Sequence, residues 1–131
     1  MPATHEDPQL GVLTRRRRRW RGELELEDGP VPLAVVGGRS GPDEAALALA
    51  RRAGDDLVSC RPALEAALAE HREPYDDAGD GWAVEWASIE PLAGDLTLEL
   101  GLRTAWDEEH TLGARVRGGR LVELNGSVLA P

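Results

Sequence analysis

The sequence contains no phenylalanine and no lysine, and it has a single cysteine. Because phenylalanine is absent, we expect the four tryptophans to act as the large aromatic anchors of a core built mainly from Leu, Val and Ala. Because lysine is absent, all fifteen Lys-or-Arg positions are arginine. Since Cys60 has no partner in the chain, an intrachain disulfide is excluded, which fits a reducing compartment.

Long apolar runs are also missing. No stretch approaches the roughly 20 apolar residues that a helix needs to span a bilayer. The first seven residues lack the basic-then-apolar order of a signal peptide. We therefore expect a cytoplasmic protein with no membrane partner. Its 131 residues suit one domain, which we place at 15–131 after a loose lead-in over 1–14.

The charge is acidic overall and unevenly distributed. The net charge is −9, and residues 41–110 hold seventeen acids against five arginines, whereas both ends of the chain are mildly basic. Neutralisation of phosphates supplies most of the affinity of nucleic-acid-binding proteins, so this balance disfavours a nucleic-acid partner. It suits a soluble protein, or one that meets a basic partner.

The run Arg15–Arg19 has two interpretations. It is either a patch for nucleic acid or membrane, or the exposed face of an edge strand. The alternation of Trp20, Gly22, Leu24 and Leu26 continues directly from the run, which favours the strand. Charge on an edge strand also discourages pairing with a neighbouring molecule.

Residues 95–128 carry the clearest strand pattern. Leucines alternate strictly from 96 to 102, which is the spacing of a half-buried strand, and alternation resumes over 111–117 and 120–124. Gly118-Gly119 between the last two runs predicts a tight hairpin, because both turn positions need positive φ. We interpret this stretch as a three-stranded meander on which the rest of the chain packs.

Two helices are predicted in the middle of the chain. Pro42-Asp43-Glu44 is typical of a helix start, and Gly54 is a natural stop. A second helix is expected over 63–70, with Pro62 either kinking it or lying in its first turn. An acidic, Gly-rich loop over 76–81 follows.

Strands and helices thus come in blocks and do not alternate. Two strands precede the helices, and about four follow them, beginning with an alternating run at 82–89. This order, ββααββββ, predicts an α+β fold with an antiparallel sheet of about six strands and two helices packed on one face.

The segment Trp106–His110 is an acidic corner with candidate ligands for a metal or an acid/base pair. Metal sites draw their ligands from several elements, and four adjacent residues in a turn cannot all face one ion. Only His71 or the acids of 76–80 are available to help, and no spacing fixes their position. We therefore predict no catalytic, metal or cofactor residue, and favour a solvated turn in which Trp106 enters the core.

An interaction surface is the alternative use of these charges. The corner and the hairpin arginines place opposite charges at opposite ends of one strand, and Arg15–Arg21 would extend the basic part if it lies beside them in the sheet. Such a charge pattern suits a protein partner. The residues concerned are Arg115, Arg117, Arg120, Asp107, Glu108, Glu109 and His110.

Three segments carry a resemblance to a known family. They are RPALEAALAEHREPY at 61–75, WDEEHTLGARV at 106–116 and GRLVELNG at 119–126. Together they resemble an uncharacterised family of small bacterial domains. The resemblance implies an α+β domain without assigned catalytic residues. Some similar small bacterial proteins lie beside polymorphic toxins and act as immunity proteins.

Three functions follow from these features. The leading hypothesis is a non-enzymatic protein-binding module, of immunity or adaptor type, that is a monomer or a homodimer and needs no cofactor. The alternative is a metal-dependent hydrolase that uses the corner at 106–110 with His71. Nucleic-acid binding through Arg15–Arg21 is the least favoured, because of the acidic balance.

Overall fold

The computed structural model describes residues 2–75 and 78–131, so the start of the loop predicted over 76–81 lies outside the described residues. It contains ten strands and one helix in the described part. In chain order these are β1 (Thr4–Asp7), β2 (Gly11–Arg16), β3 (Arg19–Leu26), β4 (Gly29–Val35), β5 (Gly37–Gly38), β6 (Gly41–Pro42), α1 (Glu44–Arg72), β7 (Trp82–Leu92), β8 (Asp95–Thr104), β9 (Leu112–Arg117) and β10 (Arg120–Asn125).

Eight strands form one sheet in the order β1-β2-β3-β4-β7-β8-β9-β10, and β5 pairs with β6 in a small separate ribbon. All neighbours in the large sheet are antiparallel except β4 and β7, which are parallel with Leu33 opposite Ala87. Two four-stranded meanders therefore meet at one parallel seam. The connection between them passes through β5, β6 and α1.

The sheet has two unlike faces. The helix α1 covers one, here called the helix face, which carries the core side chains Trp20, Ile89 and Leu100. The opposite face, here called the back face, carries polar and charged side chains such as Arg21, Glu99 and Arg115. These assignments follow from the cross-strand pairing, because side chains opposite one another share a face.

The predicted pair of helices is wrong, because a single helix runs from Glu44 to Arg72. Asp43 caps its first turn by accepting a hydrogen bond from the backbone N–H of Ala45. A stripe of buried side chains continues without a break from Ala46 to Leu68. An interior Gly costs a helix about 1 kcal/mol and an interior Pro about 3 kcal/mol. Burial of each leucine contributes about 2 kcal/mol, so the four buried leucines of the stripe offset Gly54 and Pro62.

The predicted strand count and order, ββααββββ in an antiparallel sheet, are also wrong. The segment expected as a lead-in contains β1 and most of β2, and the seam makes the sheet mixed. The strand β1 is four residues long, mostly polar and at the sheet edge, so it has no apolar alternation to reveal it. The strands β5 and β6 are two residues each and consist of Gly and Pro.

The meander predicted over 95–128 is confirmed as β8, β9 and β10. Leu98, Leu100 and Leu102 are all buried on the helix face, as their alternation predicts. Gly118 and Gly119 close the β9–β10 hairpin at φ 57° and 74°, the left-handed values that the tight turn requires. In the part of the chain that the structure describes, no helix combines the length and apolarity needed to cross a membrane.

Candidate functional site

The acidic corner is a hydrogen-bonded cluster, and not a set of free ligands. The carboxylate of Asp107 is nearly buried, and Tyr75 Oη donates to its Oδ2 at 3.1 Å. The ring Nδ1 of His110 lies 2.9 Å from Asp107 Oδ1. The side chains of Glu108 and Glu109 are exposed to solvent. The predicted residues of the corner therefore divide into a paired half and a solvated half.

The helix end joins this corner through His71. Trp106 Nε1–H donates to His71 Nδ1 at 2.9 Å, and the His71 ring stacks on Tyr75 with the ring centres 5.9 Å apart. Because Nδ1 is the acceptor, a neutral His71 carries its proton on Nε2. Neither nitrogen of this tautomer offers a free lone pair to a metal. Sequence reasoning named His71 as possible help but had no means of placing it beside Trp106.

The electrostatics of the corner are those of an ion pair. The hydrogen bond from His110 is the main cause that lowers the pKa of Asp107, and the same contact raises the pKa of His110. Among residues 2–75 and 78–131, no three His, Cys, Asp or Glu side chains are arranged to hold a metal ion. Trp106 is 93% buried in the core, as predicted.

Two of the three hairpin arginines are neutralised on the back face. Arg115 donates through Nε to Glu99 at 2.7 Å and through Nη1 to Glu123 at 2.9 Å. Arg117 donates to Thr97 Oγ1 at 2.8 Å and to the carbonyl of Leu92 at 2.9 Å, and its Nη1 lies 3.7 Å from Asp95 Oδ2. Only Arg120 is exposed at the turn. The sequence pattern indicates which face of the sheet Glu99 lies on. Glu99 stands between two of the alternating leucines, so its side chain points away from the core, to the face where it meets Arg115.

The predicted interaction surface does not form one patch. The corner precedes β9, whereas Arg117 and Arg120 lie at its far end, so the six residues of the strand separate them from the corner by about 20 Å, with Arg115 in between. Opposite charges therefore lie at opposite ends of β9, as the sequence suggested, but they do not meet.

The strand registers bring a larger basic group together at one end of the sheet. The β2–β3 turn, the β7–β8 turn and the β9–β10 turn all lie at this end. It carries Arg15–Arg19, Arg21, Arg117 and Arg120, and we call it the arginine end. The two basic hairpins are not on neighbouring strands, because β4, β7 and β8 lie between them. Four strand spacings separate β3 from β9, which is about 19 Å.

The opposite end of the sheet is acidic. It is formed by the β3–β4 turn with Glu27 and Asp28, and by the corner with Glu108 and Glu109. All four of these side chains are exposed. We call this the acidic end. Exposed arginines thus collect at one end of the sheet and exposed acids at the other, with the helix packed across it. The exposed Asp95 also lies at the arginine end, where it pairs with Arg117.

The fold and the charged ends define a small α+β protein in which one helix covers a mixed, eight-stranded sheet. No family model matches the chain, and neither a curated protein nor a solved structure does.

Proposed function

We propose that this protein is a non-enzymatic module that binds another protein. The observation that carries the proposal is the segregation of charge between the arginine end and the acidic end. In the arginine run, Arg16, Arg17 and Arg18 are exposed. A protein whose net charge is −9 keeps these groups at one place on a rigid scaffold.

Charge arranged in this way determines mainly which partner a protein binds and how fast the two associate. Complementary potentials steer the encounter of two proteins and reject partners of the wrong sign. An immunity or adaptor role in the cytoplasm of a bacterium is the specific form that we propose, on the basis of the resemblance in the three sequence segments described above. The partner then presents an acidic surface to the arginine end, or a basic surface to the acidic end.

The hydrolase alternative has weaker support from the corner. His71, Asp107 and His110 do converge there, yet His71 Nδ1 accepts the Trp106 N–H and Asp107 pairs with His110. Metal analysis of the purified protein tests this alternative directly. Bound metal that is lost in His110→Ala would favour the hydrolase over the binding module.

The binding proposal is tested by co-expressing the tagged protein with the products of its neighbouring genes in the native host. We expect one product to co-purify at a fixed stoichiometry, measured by light scattering after size exclusion, and to dissociate as salt is raised. The triple variant Arg16→Gln/Arg18→Gln/Arg120→Gln or a matching set of acidic-end variants should weaken the complex. Arg52→Gln, an exposed helix arginine, is the control.

The proposal fails if no neighbouring product and no protein of the host lysate forms a stoichiometric complex. The same light-scattering measurement on the protein alone distinguishes a monomer from a homodimer.

A further inference from the structure

The tip of the β2–β3 hairpin has an unfavourable backbone. Arg17 and Arg18 form the two-residue turn with φ of 52° and 65°. Tight hairpin turns of this kind favour Asn-Gly, because a residue with a larger side chain is strained at positive φ. Backbone strain of this kind concentrates at functional sites. The turn thus carries two exposed guanidinium groups at positions where Asn-Gly would be less strained.

The arginines behind the tip repel one another. On the back face Arg16 lies directly opposite Arg19, and Arg21 follows along the same strand. Like charges at opposed positions of a sheet destabilise it. The pKa of Arg21 is lowered, first by burial and then by the charges of Arg17 and Arg19.

Few acids compensate this group. Arg19 forms an ion pair with Glu90. Within the described residues, Arg15, Arg16, Arg17 and Arg18 form no ion pair. In the same part of the chain, the buried Nε of Arg15 has no hydrogen-bond partner. An anion placed on the hairpin would therefore relieve an existing repulsion.

A shallow groove begins at Arg21 and crosses the back face. Its floor includes Pro32, Ala34 and Trp86, and Ala130 and Pro131 form part of its rim. Arg21 Nη1 donates to the carbonyl oxygen of Pro131 at 2.8 Å. A non-helical segment of the chain thus already lies along this groove with an oxygen on Arg21.

We propose that the arginine hairpin and this groove together bind an extended, acidic segment of the partner protein. This deepens the proposed function and rests on it. Carboxylates of the segment pair with Arg16, Arg17 and Arg18, and an oxygen of the segment takes the place of the Pro131 oxygen on Arg21 Nη1. Small apolar side chains of the same segment pack on Pro32, the exposed residue of the floor.

The surroundings favour a polypeptide over a nucleic acid. The exposed Glu23 of β3 lies opposite Pro32 of β4, and Glu85 lines the groove. Duplex DNA carries one charge per about 1.7 Å, so it would bring phosphates against these acids. A polypeptide can confine its acids to the hairpin and present apolar residues beyond it.

The test uses a fluorescein-labelled peptide in which four glutamates precede Ala-Val-Pro-Ala, and it measures anisotropy with the whole protein. We expect saturable binding that weakens as salt is raised. The decisive variant is Arg17→Asn/Arg18→Gly, which installs the favoured turn. It should raise the melting temperature and weaken peptide binding at least about tenfold, which is about 1.4 kcal/mol.

A matched control removes two arginines of the helix that do not line the groove. Arg52→Gln/Arg61→Gln should change peptide affinity by less than about threefold. Equal losses in both double variants would show an effect of net charge alone and overturn the proposal.

Two further outcomes would also overturn it. One is a turn variant that binds the peptide as well as the unaltered chain does. The other is the absence of saturable peptide binding by the unaltered protein, whether or not the protein binds duplex DNA or anionic vesicles of phosphatidylserine. If a gene-neighbour partner still co-purifies in that case, the proposed function stands and only this site is wrong.

Discussion

At the scale of single residues, the two faces of the sheet tolerate change differently. Gly101 lies under the Trp86 ring on the back face, and a Cβ built there would be 2.1 Å from Trp86 Cε2. That side chain is 94% buried, so it has little room to move away. The glycine is needed for this close approach and not for its backbone freedom.

We therefore expect Gly101→Ala to lower the free energy of unfolding by about 3 kcal/mol, because overpacking displaces Trp86. Urea unfolding followed by tryptophan fluorescence measures the change. Gly126→Ala is the matched control, since no atom lies within 4 Å of its added Cβ, and it should stay within about 0.5 kcal/mol. Equal effects at the two glycines would contradict the described packing.

His110 gives the corner a pH dependence. Asp107 raises the pKa of His110, so the pair stabilises the fold below the unfolded-state value of 6.5 and loses that contribution as pH rises through the folded-state value. At the acid side, the lowered pKa of Asp107 keeps the pair intact until pH falls below 3.8.

The difference in melting temperature between the unaltered chain and His110→Gln should thus be largest near pH 5.5 and shrink by pH 8.5. His5→Gln, at a histidine outside the corner, is the control for the loss of an imidazole ring. A difference that grows toward pH 8.5 would show that the ion pair does not form.

At the scale of elements, α1 shows burial overriding local preference. Pro62 is exposed and lies in the helix interior, where it removes one backbone hydrogen bond. We expect Pro62→Ala to raise the free energy of unfolding by about 2 kcal/mol, which is the helix cost of proline less the entropy it removes from the unfolded chain. Chemical unfolding with circular dichroism measures this.

A second proline serves as the control for that change. Pro30 lies in β4, outside the helix, and Pro30→Ala should lower the free energy of unfolding by about 0.5 kcal/mol. If both alanine variants destabilise the protein, the helix does not pass through position 62 as described.

The same element explains where sequence reasoning succeeded and failed. Strands with one buried face show alternating apolar and polar residues, which is why the sequence predicts β8, β9 and β10 closely. Glycine and proline each disfavour a helix locally, and for that reason the sequence predicts two helices where α1 is continuous through Gly54 and Pro62. The buried stripe from Ala46 to Leu68 was the better guide, because its phase never changes.

The candidate sites were harder to predict than the strands. The contact of His71 with Trp106 joins a helix end to a distant loop, and no local pattern encodes it. The arginine end required the register of β2, β3, β9 and β10, which depends on the whole sheet. The arginine run is evident in the sequence, but its interpretation as a strand predicts only a charged edge of the sheet and not a group of arginines at one end of it.

At the scale of the whole molecule, an ion pair between the buried Asp7 and the partly exposed Arg51 connects the first hairpin to the helix. The Asp7 carboxylate accepts from Arg51 and from the backbone N–H groups of Gln9 and Leu10. The hydrogen bond from Arg51 is the largest cause that lowers the pKa of Asp7 to about 2. Because the Asp7 carboxylate is buried, loss of its charge lowers the free energy of unfolding of the whole fold.

The contribution of Asp7 is present above pH 3.8 and is lost as pH falls toward about 2. We expect Asp7→Asn to lower the free energy of unfolding by about 2 kcal/mol at pH 7, and most of the difference from the unaltered chain to be lost by pH 2. Asp28→Asn, on the exposed β3–β4 turn, is the control. A difference that is as large at pH 2 as at pH 7 would mean that charge is not its origin.

The single parallel seam has a consequence for the order in which the chain assembles. Each meander is built from contacts between neighbours in sequence, so its hairpins close short loops. The pairing of Leu33 with Ala87 must instead wait until the whole of α1 has folded back between them. We therefore expect the seam to form last, so that β4 and β7 are two open edges on separate half-sheets until it does.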